Sequence, residues 1–233
     1  MAPETPDVPQ WIVYASVIGV FGGLIGAAAL LHERRRRLLD RMAGELGLTF
    51  YEHGGHGADL PGYFHRYSEG AFPRDTTIRR SIQGELGGLD VLVAEFLQYT
   101  GSSASTRKRY GYPQTVGLFR APELDLPRFL LRPETLRHKV IAPFKGNDID
   151  FLESARFSRT YLLCGEDEPA VRALFSERVR AFFEKHPGRI AQGFANELIY
   201  YRPARLHEWV SFRPKTIRSL LKEAHELVGL VKN

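Results

Sequence analysis

The chain's 233 residues, 43% hydrophobic, 12% aromatic and 25% charged, exclude a disordered or low-complexity protein and suffice for one ordinary domain or two small ones. A single cysteine, Cys164, excludes an internal disulfide framework and a cysteine-rich zinc site, and suits a reducing compartment. The net charge of +5 is too thinly spread for a nucleic-acid face: −2 over residues 1–31, +3 over residues 32–41 and +4 over the remaining chain.

Residues 1–10 hold three prolines and two acids and read as a disordered tail. Trp11–Leu31 then runs for 21 residues without a charge, long enough to cross a hydrocarbon core as a helix. Its ten Ile, Val, Leu and Phe residues favour insertion by roughly 3–6 kcal/mol. Ala15, Gly19, Gly23 and Ala27 recur every four residues and lay a small-residue stripe along one face, with Gly22 and Gly26 beside it. Such a stripe lets backbones approach closely, which points to a homo-oligomer or to a membrane-protein partner.

Beyond the span, residues 32–47 read as a basic juxtamembrane helix. Leu38, Leu39, Met42 and Leu46 fall at helical spacing and Gly47 is placed to end it. Arg34, Arg35, Arg36 and Arg37 lie at headgroup level, where they either fix topology or bind anionic lipid. No Lys or Arg precedes the span, so the positive-inside rule puts the N-terminus outside and the C-terminal domain in the cytoplasm, as in a single-pass bacterial inner-membrane protein. A cleaved signal peptide, suggested by Ala27-Ala28-Ala29, is disfavoured by the acidic N-terminal region and the length of the apolar run.

From Leu48 the pattern turns β. Leu48–Tyr51 predicts a strand, and Asp59–Tyr67 a short helix. Thr77–Leu86 and Leu89–Tyr99 predict strands joined by Gly87-Gly88 as a hairpin. Thr100–Tyr112 reads as a long basic loop, and Thr115–Phe119 and Phe129–Leu131 as further strands around the turn at Pro122–Pro127. Leu136–Ile149 shows only weak periodicity. Phe157–Cys164 alternates as a strand. Asp167 caps a helix whose stripe is Val171, Leu174, Phe175, Val179, Phe182 and Phe183, closed by His186-Pro187-Gly188. Arg189–Phe194 and Leu198–Arg202 form a second hairpin about Ala195–Glu197. Pro214 starts a helix that buries Ile217, Leu220, Leu221, Ala224, Leu227, Val228 and Val231. This order predicts an α+β domain over 48–233, in one piece or as halves 48–135 and 150–233, with an antiparallel sheet packed against two main helices and hairpins in place of crossovers.

Phe129–Glu134 (FLLRPE) and Phe157–Gly165 (FSRTYLLCG), followed by Val171–Phe175, resemble a group of uncharacterised bacterial single-pass membrane proteins. The strand, helix, hairpin plan from Phe157 onward is similar to a larger bacterial domain of unknown function. The resemblance implies the fold and the anchor, and no active site.

Chemistry-bearing patterns are few. His53-x-x-His56-x-x-Asp59, with His65 nearby, is a legitimate first shell for zinc or iron(II), but a polar surface loop explains the same residues. Nucleophile-elbow and phosphate-loop patterns are missing. Asp148, Asp150 and Glu153 read as a solvated strand flank. Arg107, Lys108, Arg109 and Tyr110, on the basic loop with Tyr112, form a possible ligand loop for lipid or an acidic protein. The sequence favours a membrane-anchored protein- or lipid-binding module without cofactor. The alternative is a membrane-tethered, metal-assisted enzyme using His53, His56 and Asp59.

Overall fold

The computed structural model describes residues 10–52, 77–100, 110–134, 148–203 and 212–232. The chain divides into two compact units, Met1–Met42 and Ala43–Asn233. Helix α1, Gln10–Glu45, makes up the described part of the first and runs three residues into the second. At 1.5 Å per residue its 36 residues extend about 54 Å. Gly47, at φ +71°, supplies the left-handed turn that ends it, where a side chain would be strained. Leu39 and Met42 are buried, whereas Leu38 is exposed.

The second unit is built on one eight-stranded, wholly antiparallel sheet: β1 Thr49–Glu52, β2 Thr77–Leu86, β3 Leu89–Thr100, β4 Tyr110–Arg120, β5 Leu126–Pro133, β6 Tyr161–Gly165, β7 Ile190–Ala195 and β8 Glu197–Tyr201. Their spatial order is β1-β2-β3-β4-β8-β7-β5-β6. The α+β class and the antiparallel sheet are as the sequence implies. The Gly87-Gly88 hairpin is also as expected, with Leu86 opposite Leu89. Hairpins do not account for every connection, however. The Ala121–Asp125 link carries the chain from β4 past two strands to β5, and the Ala121 amide bonds to the Asn196 carbonyl at the tip of the β7–β8 hairpin. Strands of both proposed halves therefore share one sheet, with β5 between β6 and β7, and β4 against β8.

Three elements differ from their sequence pattern. β4 starts at Tyr110, inside the expected loop. Pro113 pairs with Leu97 on one side and the pairing to β8 begins only at Gly117, so among the described residues no strand pairs with the proline on its other side. Phe157–Thr160 is not strand: Ala155–Thr160 forms helix α2, and Phe157, fully buried, packs on Phe151, Tyr161 and Phe175. The helix expected from Asp167 is interrupted. It becomes α3, Glu168–Leu174, and α4, Glu177–Lys185, because Phe175 and Ser176 leave helical backbone angles while Phe175 turns inward. Asp167 caps α3 as predicted, accepting the Ala170 amide at 3.0 Å. The final helix, α5, spans Pro214–Val231.

Helices α3, α4 and α5 pack on one face of the sheet. Phe175 meets Phe129, Phe183 meets Tyr161 and Tyr200, and Leu220 closes over Gly117. Gly193 is needed there, since a Cβ would strike the Phe129 ring. The opposite face is a buried cluster contributed by strands, with Phe96, Val116, Leu118, Leu130, Cys164 and Ile199 among its members.

Candidate functional site

The features open to function are the uncovered helix α1 and two polar centres in the sheet domain. The apolar window of α1 is wholly uncovered by protein; Trp11 is 68% exposed and Ile18 71%. Beyond the helix's own neighbouring backbone, nothing lies within 4 Å of where a Cβ would stand on Gly19, Gly22, Gly23 or Gly26, so among the described residues the face carrying Ala15, Gly19, Gly23 and Ala27 is open. Among the described residues this helix alone is long and apolar enough to cross a membrane. In the basic collar Glu33 is shared. Its Oε1 accepts Arg37 Nε at 2.7 Å and its Oε2 accepts Arg36 Nε at 3.0 Å.

The first polar centre lies inside the domain, around Glu223. This buried carboxylate of α5 accepts two parallel bonds from Arg189, at 2.7 and 2.8 Å, one from the Tyr200 hydroxyl at 2.9 Å and one from the Ser219 hydroxyl at 2.7 Å. Burial alone would raise its pKa, but the bonds from Arg189 and Ser219, then that from Tyr200, outweigh it and hold the carboxyl below its ordinary range. Burial, with the Glu223 charge beside it, pushes the Tyr200 phenol up. The centre ties α5 to β8 and to the entry of β7. With four donors already on its two oxygens, Glu223 is a poor base and a good clamp.

The second centre sits at the end of the sheet. Glu197, the first residue of β8, lies 3.1 Å from Arg120 Nε, and Arg120 reaches Asp90 at 3.4 Å. Burial pushes the Glu197 carboxyl up to about 7. No group of three potential metal ligands occurs among the described residues.

Sequence reasoning missed both centres. Glu223 had a readable signal, because it interrupts the apolar stripe of α5 between Leu220 and Leu227, where a charge must find partners. Glu197 had none, since its burial depends on strands distant in sequence. Of the candidates taken from the sequence, His53, His56, Asp59 and His65 lie outside the described residues, as do Arg107, Lys108 and Arg109 and the helix expected over Asp59–Tyr67. Tyr110 and Tyr112 fall within β4, with their side chains outside the description. Cys164 is a buried strand residue whose thiol burial and Asp148 push up in pKa, which suits packing rather than nucleophilic chemistry.

No protein-family model and no curated protein matches the chain. Among solved structures, the crystal structure of the mycobacterial trehalose monomycolate transport factor A, TtfA, is similar at 14% identity. The match covers 85% of this chain and 94% of that one, with a TM-score of 0.49. A likeness at that level says nothing of ligand or activity.

Proposed function

We propose that the chain is a single-pass membrane-anchored binding module. In this reading α1 crosses the bacterial inner membrane with its N-terminus outside. The arginine collar lies at the inner headgroups, and the α+β domain stands in the cytoplasm to hold a protein or lipid partner at the membrane. The observation that carries the reading is the uncharged run Trp11–Leu31, whose Trp11, Ile18, Phe21, Leu24 and Ile25 side chains stand exposed on α1. An apolar surface of that extent is not left in water. The stripe Ala15, Gly19, Gly23 and Ala27 offers a partner helix a close approach.

Expression of the full chain with a tag at each end tests this. Retention in the membrane after alkaline carbonate, with only the N-terminal tag cut by protease added to spheroplasts, is the expected result. Release by carbonate would remove the anchor, and cleavage of the C-terminal tag alone would reverse the orientation.

A further inference from the structure

Resting on the anchor reading and deepening it, we propose that Arg34, Arg37 and Arg41 form one exposed face of α1 that binds the headgroups of anionic phospholipid. At 100° per residue these three positions fall within about 60° of arc, whereas Arg35 and Arg36 point elsewhere. All three are exposed. Glu33 sits to one flank and is divided between Arg36 and Arg37, so the collar as a whole keeps a charge of +3 over residues 32–41.

Depth and charge select the occupant. With Leu31 at the edge of the hydrocarbon, Arg34 and Arg37 stand about 4.5 and 9 Å beyond it along the helix axis. The headgroup layer is roughly 5–7 Å thick, so the Cα of the first lies among the phosphates and that of the second about 2–4 Å beyond them, a gap its long side chain spans. Arg41, about 15 Å out, is still within a Debye length of that surface. A guanidinium pairs with a phosphate through two parallel bonds, and neighbours on one face can share a headgroup or hold two. A second copy of the chain fits worse. The stripe Gly19, Gly23 and Ala27 lies on the same side, so parallel helices meeting along it would bring both arginine faces together.

The test uses the full-length protein in vesicles of equal phosphatidylcholine and phosphatidylglycerol. Lipids retained through mild detergent extraction are quantified by mass spectrometry. We expect about tenfold enrichment of phosphatidylglycerol with the wild-type chain, which falls in high salt. Arg34→Gln/Arg37→Gln/Arg41→Gln should bring the ratio near unity, while Arg35→Gln/Arg36→Gln keeps most of it. An unenriched wild-type chain, an unchanged triple variant or an equal loss in the double variant each overturns the proposal. Carbonate extraction of the same vesicles separates the two failures. Retained protein without enrichment removes only the lipid site, and released protein removes the anchor and the lipid site together.

Discussion

Glu223 is buried and accepts four hydrogen bonds, from a buried Tyr200, a half-buried Arg189 and the exposed Ser219. Removing it strands Arg189 and the Tyr200 hydroxyl in the interior, so Glu223→Ala should cost about 3–5 kcal/mol of stability by urea denaturation. A loss under about 1 kcal/mol would mean that α5 is held without the clamp. Glu197 behaves oppositely with pH. Its carboxyl rises from an ordinary 4.5 to about 7 on folding, so the folded state binds the extra proton between those values. The stability it contributes is complete below pH 4.5 and is lost as pH rises through 7, roughly 1–3 kcal/mol in all. Glu197→Gln keeps an acceptor for Arg120 and should flatten that decline, read as urea midpoints across the interval; parallel curves for both proteins would refute it. For Glu223 the sign reverses, because a lowered pKa gives stability that is present above 4.5 and lost as pH falls. At this scale the sequence was informative where a residue broke a local pattern, as Glu223 breaks its helix stripe. It was silent where burial came from remote strands, as at Glu197.

At the level of elements, the hairpin between β7 and β8 turns on a non-glycine residue with positive φ, Ala195 at 51°. An L-alanine there costs about 1–2 kcal/mol of backbone strain, and glycine's extra freedom in the unfolded chain costs about 0.5–1. Ala195→Gly should therefore stabilise the domain by about 0.5–1 kcal/mol in thermal or urea unfolding, and a destabilised variant would show that the turn is not strained. Elements with one strong period were legible: α1, α5, and the β2–β3 hairpin with its two glycines. Those shaped by tertiary packing were not. Phe157 and Phe175 both read as members of regular elements. Phe157 instead lies in a short helix and Phe175 at a break between two, because the aromatic cluster around Phe129, Phe157 and Phe183 takes their rings inside. Tyr110–Tyr112 read as part of the basic loop and lies in β4, because its pairing with Gln98–Thr100 depends on strands and not on local composition.

At the scale of the molecule, the sheet runs unbroken through segments the sequence allows to be two halves, joined where Gly117, Leu118, Phe119 and Arg120 face Tyr200, Ile199, Leu198 and Glu197. Helix α5 bridges the same seam, touching Gly117 and bonding Tyr200. We expect residues 43–233 to unfold in a single urea transition with coincident near- and far-ultraviolet dichroism; two separated transitions would restore the halves as independent units. The composition and hairpins pointed to the antiparallel class, but strand order could not be read, since β5 skips two places to find its neighbours. That order has a consequence for synthesis. β1 to β4 form a meander from consecutive segments, yet the second partner of β4 and both partners of β5 come later in the chain. An emerging polypeptide therefore presents an open sheet edge until Tyr201 has been translated, and termination before that point leaves β4 and β5 able to pair with other chains.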